Sequence, residues 1–400
     1  MSQSRQRTIV HLMDIDQHKT NSRFLKEANS VLKADLADRV VICSISERIW
    51  PEHERLGDAT DAYRFHLLPG SRFRWAQRLR YELASRRLLA FVAALQPSLI
   101  VSRMVSTLPN AVRLKRRLGV PLVYAPHELE TRRMGVDADV LELDGAIERQ
   151  AMAFVDALVT VSPSIAAWYQ REYGVESPLV VRNVPVATES PAADLPDLRR
   201  IAGIREDDIL FLYLGVLGRG RRIDQLLELF RGLAEQGQKN KHLAFVGYGP
   251  MERDIRSAAQ SSSNIHLLDA VPSDEVVALA AQADVGIVGV ENRCLSYYYS
   301  LPNKLFEYAA AGLPVLAPDF PDIADVVRQM GVGWLVGDDS PAWLHLVSAL
   351  TLDEVRSARQ RAQQQRNRFA WQQEVQPLLE RYRVMMSSKE RNGNEFAATF

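Results

Sequence analysis

Short runs rich in Val, Ile and Leu recur along the chain, each separated from the next by a stretch with helical spacing. Residues 8–13, 39–44, 98–102, 121–124, 157–161 and 179–182 read as strands, with helices expected over 23–33, 78–95, 107–118, 141–155 and 165–173. The strands are nearly continuous in apolar residues rather than alternating. That is the pattern of strands covered on both faces, and strand–helix alternation of this kind builds a parallel sheet. The alternation breaks at 185–198, which holds three prolines among Ala, Asp and Ser. It then restarts, with strands expected over 209–216, 242–246, 265–268, 285–290 and 314–317 and helices over 225–235, 251–259, 274–282, 304–311 and 322–329. A polar, helix-favouring tail runs from 341 to 389. The expectation is two doubly wound α/β domains, 1–184 and 199–368, joined by a linker at 185–198. A helix over 369–389 with Trp371 then returns to the first domain, and 390–400 forms a flexible tail. At 400 residues each domain is large enough for its own core.

Charge and cysteine content exclude several classes. Lys+Arg and Asp+Glu both number 49, so the chain lacks the basic excess of a dedicated nucleic-acid binder. The balance is uneven along the chain: residues 1–200 hold 28 basic and 24 acidic side chains. Cys43 and Cys294 are too few and too far apart for a disulfide framework or a metal cluster, and each reads as a small buried hydrophobe. No signal-peptide core opens the chain and no run approaches the ~18 apolar residues of a membrane span, so a cytoplasmic location is expected.

The segment richest in chemistry is 295–318, LSYYYSLPNKLFEYAAAGLPVLAP. Leu301-Pro302-Asn303 reads as a turn into a helix, with Asn303 as its cap. Lys304 then stands in the first turn, where free N–H groups and the helix dipole favour anions. A cation there opposes the dipole unless an anion is bound. Glu307 follows on the same face. The pair reads either as an ordinary helical Lys–Glu contact worth about 0.2–0.5 kcal/mol, or as a phosphate-binding lysine beside a carboxylate that accepts from sugar hydroxyls.

This segment resembles the P-x-K-x-x-E-Y-x-A-x-G-x-P-V signature of the family 4 retaining glycosyltransferases of the GT-B fold. Five further elements resemble the same family in order: Asn21-Ser22-Arg23…Glu27-Ala28, Tyr124-Ala125-Pro126-His127-Glu128-Leu129, Val180-Val181-Arg182-Asn183-Val184-Pro185, Leu212-Tyr213-Leu214-Gly215…Gly220-Arg221 and Phe245-Val246-Gly247-Tyr248-Gly249-Pro250. The resemblance covers about residues 8–385. It implies two Rossmann-like domains facing a cleft, a nucleotide-diphosphate sugar as co-substrate, a glycan or lipid-linked acceptor, no cofactor and no essential metal. Polysaccharide biosynthesis is the implied setting.

The resemblance also implies roles. Arg221 and Lys304 match two cations on the diphosphate, where fixed charge stabilises the leaving group; Arg219 and Arg222 stand close enough in sequence to substitute for Arg221. Glu307 matches a carboxylate on the ribose, while Gly215, Gly247 and Gly249 admit the nucleotide to the backbone. His127 matches an active-site histidine near the transferred sugar. Tyr299, Asn303, Asp14 and Arg23 are candidates for the donor sugar or acceptor. Tyr299 stands where the family's first glutamate is expected, and a tyrosine cannot serve as a carboxylate. Asp14-Ile15-Asp16 and Asp137-Ala138-Asp139 match a metal-binding D-x-D by spacing alone and are set aside.

The segment 71–87 carries six arginines and one acid, interleaved with Phe73, Trp75 and Tyr81. It reads as a solvated face or as a peripheral contact with an anionic membrane, which would place the protein at the inner face of the cell membrane. Two alternatives to a transferase remain open from sequence: a GT-B-fold sugar-nucleotide epimerase, and a catalytically silent nucleotide-sugar-binding subunit.

Overall fold

The structure is a computed structural model that describes residues 6–14, 22–47, 49–68, 74–186 and 195–397, with the side chains of 22, 74, 75 and 388–397 excepted. Most of the expected linker, Asp16 and the start of the basic segment therefore lie outside the described residues. The chain divides into two units, Met1–Arg182 with Val375–Phe400, and Asn183–Glu374.

The strands of the first unit are β1 (Thr8–Leu12), β2 (Arg39–Ser46), β3 (His53–Gly57), β4 (Thr60–His66), β5 (Leu99–Ser102), β6 (Leu122–Tyr124), β7 (Ala157–Thr160) and β8 (Leu179–Val180). Their order is β3-β4-β2-β1-β5-β6-β7-β8, and among the described residues only β3 pairs antiparallel, with β4. Those of the second unit are β9 (Ile209–Leu214), β10 (Lys241–Val246), β11 (Ile265–Leu268), β12 (Val285–Ile287), β13 (Val315–Pro318) and β14 (Trp334–Val336). They lie in the order β11-β10-β9-β12-β13-β14, all parallel. Both sheets reverse direction beside their first strand, at β1/β5 and at β9/β12. Ligands of open α/β sheets bind outside the carboxyl ends of the strands at such a switch point.

Burial explains why the central strands were legible. Every residue of β1, β5, β6, β9 and β10 is buried, and most of them are apolar, as strands covered on both faces favour. Three strands were not anticipated: β3, β4 and β14. β3 and β4 form an edge hairpin whose β3 residues alternate exposed and half-buried. It is held by polar pairs: Arg64 meets Glu54 at 2.6 Å, and Asp61 meets Arg39 at 2.8 Å and His53 at 3.0 Å. A search for continuous apolar runs passes over such a ribbon. One expected cap is corrected. Pro302, not Asn303, is the N-cap of the helix Asn303–Ala310. Thr107 is an N-cap without a side-chain capping bond, because its hydroxyl serves Met104 O and Ser102 Oγ instead. Among the described residues no helix is long and apolar enough to cross a membrane.

Tyr308 ties the second sheet to the helix Asn303–Ala310. Its hydroxyl accepts from Leu214 N at 3.0 Å and donates to Leu212 O at 2.9 Å, and a Cβ on Gly286 would lie 2.4 Å from its ring. Tyr308→Phe is expected to cost about 1–3 kcal/mol in urea denaturation, since it leaves the buried Leu214 N–H without a partner.

Candidate functional site

In the second unit the sequence candidates converge at the carboxyl ends of β9 and β10. Gly215 follows β9 and donates its N–H to Val246 O at 2.9 Å, while Leu217 N donates to Tyr248 O at 2.9 Å, so the two loops interlock. Their approach leaves no room for side chains. A Cβ on Gly247 would lie 1.9 Å from Gly215 O, and one on Gly249 would lie 2.4 Å from Leu217 O. Lys304 reaches this edge from the first turn of its helix, and a Cβ on Gly215 would touch its Cε at 4.0 Å.

Lys304 is buried, and its ammonium rests 3.6 Å from the centroid of the Tyr213 ring. Burial and the nearby Arg221 push its pKa well below the ordinary lysine value, which Glu307 offsets in part. Arg221 is half-buried, 5.8 Å from the Tyr297 ring centroid. Its carbonyl lies against Gly289, where a Cβ would come within 2.6 Å. Two cations thus lie near one another on aromatic faces, an arrangement that gains an anion's attraction at little reorganisation cost.

The arginine ambiguity resolves here. Arg222 is buried in a left-handed turn, pairs with Asp338 and lies over Trp343 at 4.6 Å. Its backbone N–H donates to Glu291 at 2.9 Å. Arg222 therefore serves the fold and cannot substitute for Arg221. Arg219 is exposed. Tyr299 is half-buried beside Tyr298 at 5.5 Å, and Asn303 is exposed with its Oδ1 accepting from Asn183 at 2.8 Å. Tyr213 and Gly289 were missed from sequence. The position of Tyr213 two residues before Gly215 was the available signal.

In the first unit His127 follows β6 and is half-buried. Arg103 follows β5 and places Nη1 3.5 Å from His127 Nε2. Burial, then Arg23 and Arg103, hold the His127 pKa well below the ordinary value. Arg23 is itself buried and donates to Val181 O at 2.8 Å. Asp14 is exposed, accepts from Ser106, and lines a small cavity with Met13, Ser44, Tyr81 and Asn110. Arg103, Glu27, His11 and Tyr382 form one buried cluster that sequence reasoning did not anticipate.

That cluster sets an acid limit. Burial and Arg103 push His11 down to about 3. Burial alone would raise Glu27, but Arg103 and Arg23 override it and hold the carboxyl at about 2. Below pH 6.5 the unfolded chain protonates its histidine while native His11 stays neutral, so stability falls as pH drops from 6.5 toward 3. Glu27 stabilises fully above about 4.5, and that contribution is lost as pH falls from there toward 2. The urea midpoint is expected to fall between pH 7 and pH 5, at up to about 1.4 kcal/mol per pH unit for one group. A flat profile would contradict native burial of a neutral His11.

Comparison with known proteins accounts for both units. Residues 194–368 match the glycosyl transferases group 1 family, and residues 23–189 match glycosyltransferase family 4. The chain belongs to the family 4 glycosyltransferases of the GT-B fold. Over 250 residues, 60% of this chain and 63% of the relative, the chain is 25% identical to a Bacillus subtilis (strain 168) protein assigned as glycosyltransferase EpsD. Over 165 residues, 38% of this chain and 40% of the relative, it is 28% identical to an Escherichia coli (strain K12) protein assigned as colanic acid biosynthesis glycosyltransferase WcaL. The chain thus spans less than two thirds of either relative's length. The structure of Anabaena HepE in complex with UDP and glucose matches with a TM-score of 0.68 at 14% identity, covering 94% of this chain and 100% of that one. At that identity the likeness is one of fold.

Proposed function

We propose that this glycosyltransferase moves a sugar from a nucleotide-diphosphate donor to a hydroxyl of a glycan or lipid-linked acceptor, with retention of configuration and without an essential metal. The observation that carries the proposal is Lys304. A buried cation on an aromatic ring, at a strand edge where glycines let two loops close on each other and beside a second cation, fits a diphosphate.

In the proposed step the bond between the sugar's anomeric carbon and the diphosphate oxygen breaks, and its electron pair goes to that oxygen. Arg221 and Lys304 stabilise the charge that develops there. The acceptor oxygen bonds to the same face of the anomeric carbon, and its proton passes to the departing diphosphate. Glu307 accepts from the ribose hydroxyls, and His127 contacts the transferred sugar. Tyr299, in place of a carboxylate, donates or stacks rather than accepts. The colanic acid biosynthesis relative supports a polysaccharide setting. Exposed Arg78, Leu79, Arg86 and Arg87 on the helix Arg74–Leu95 support contact with an anionic surface.

Thermal-shift measurements with nucleoside diphosphates and their sugars test the donor class. A ligand that binds the native state at a hundred times its Kd stabilises by about 2.7 kcal/mol, which reads as a rise of several degrees in Tm. No rise with any nucleotide would overturn the proposal.

A further inference from the structure

Behind His127 lies a buried charged network to which sugar transfer, as described above, assigns no role. The backbone N–H of Arg103 donates to Leu12 O at 3.0 Å, which starts its side chain at the carboxyl ends of β1 and β5. Its Nη2 meets Glu27 Oε1 at 2.6 Å. Its Nε and Nη2 both lie 3.1 Å from His11 Nδ1. Tyr382, from the C-terminal helix Gln376–Ala397, donates to the same Glu27 oxygen at 3.0 Å. Arg103, Glu27, His11 and Tyr382 are each at most 3% exposed, so the guanidinium is held in one orientation. In that orientation Nη1 faces His127 Nε2 at 3.5 Å.

A guanidinium offers five N–H donors and no acceptor. A ring nitrogen that faces it must present its lone pair, so the proton of a neutral ring belongs on the other nitrogen. The charged groups around the ring are Arg103 beyond β5, and Arg23 and Glu27 on the helix Ser22–Lys33. Two arginines against one carboxylate leave a positive excess that disfavours an imidazolium.

We infer that Arg103 is a positioning residue that holds His127 as a neutral imidazole protonated at Nδ1, with Nε2 occupied. Its consequence for transfer rests on the function proposed above. With Nε2 engaged, His127 donates one hydrogen bond from Nδ1 and does not take the acceptor's proton, which leaves that proton to the departing diphosphate. Tyr382, through Glu27, makes the C-terminal helix part of this support.

The test is 15N NMR of the full chain labelled at histidine, with His127→Asn identifying the His127 signals. The spectra are recorded without substrate, so their outcome is independent of any transfer assay. The expected wild-type pattern at pH 7 is a protonated Nδ1 and an unprotonated Nε2, unchanged down to pH 5. In Arg103→Met that pattern is expected to be lost, with His127 titrating nearer the ordinary histidine value. A wild-type ring protonated at Nε2, or an imidazolium at pH 7, would overturn the inference, as would an unchanged pattern in a folded Arg103→Met protein. Should Arg103→Met fail to fold, the wild-type spectrum decides alone: Nδ1–H supports the inference and either other form overturns it.

Discussion

A Lys304→Met protein is expected to lose nucleoside-diphosphate binding while unfolding at the wild-type temperature or above it. Methionine keeps the apolar stem against Tyr213 and removes only the charge. In the free protein that charge is a liability. It is buried, lies near Arg221 and stands in the first turn of a helix, where a cation opposes the dipole. Only a bound anion turns it into a gain. Transfer is expected to fall by roughly a hundred- to a thousand-fold, the usual loss when one preorganised stabiliser of transition-state charge is removed. A merely structural lysine would give the opposite split, with lower Tm and retained binding. Urea denaturation and titration calorimetry on the same preparation separate the two outcomes.

The second large effect is on stability. Gly247→Ala places a methyl 1.9 Å from Gly215 O at a φ of +157°. The clash is with backbone that is itself tied down, since Gly215 N is bonded to Val246 O and Met251 N donates to Leu217 O at 3.0 Å. Relief requires the loops after β9 and β10 to part. The expected cost exceeds the roughly 1–3 kcal/mol of ordinary overpacking. Gly232→Ala is the control. That glycine lies inside the helix Ile223–Glu235 with nothing within 4 Å of a new Cβ, so the change should stabilise by about 0.5–1 kcal/mol. Comparable urea midpoints for the two variants would mean that the loops are not interlocked as described.

The two effects show what sequence could and could not reveal. Strands buried on both faces are mostly apolar, so β1, β5, β9 and β10 were readable. The edge hairpin β3–β4 obeys a different rule: it is built from cross-strand ion pairs and looked like loop. Lys304 was readable because a cation at a helix start contradicts the local electrostatics. Its partner ring, Tyr213, was not, because a tyrosine inside an apolar strand is unremarkable until the strand's neighbours are known. The Arg103 network was invisible for a related reason. Arg23 and Glu27 stood out only through the resemblance of their helix to the family's, which says nothing of the side chains they meet. Only the return of Tyr382, 355 residues away from Glu27, reveals that they are buried.

The central claim is that a nucleotide-diphosphate sugar is cleaved and its sugar handed to an acceptor hydroxyl. The most direct measurement follows a sugar-labelled donor, chosen by thermal shift, with and without a hydroxyl acceptor. The expected result is release of the nucleoside diphosphate with label moved onto the acceptor, retained anomeric configuration, and loss of both in Lys304→Met. Label that stays on the nucleotide as an epimer, or turnover undiminished in Lys304→Met, would contradict it.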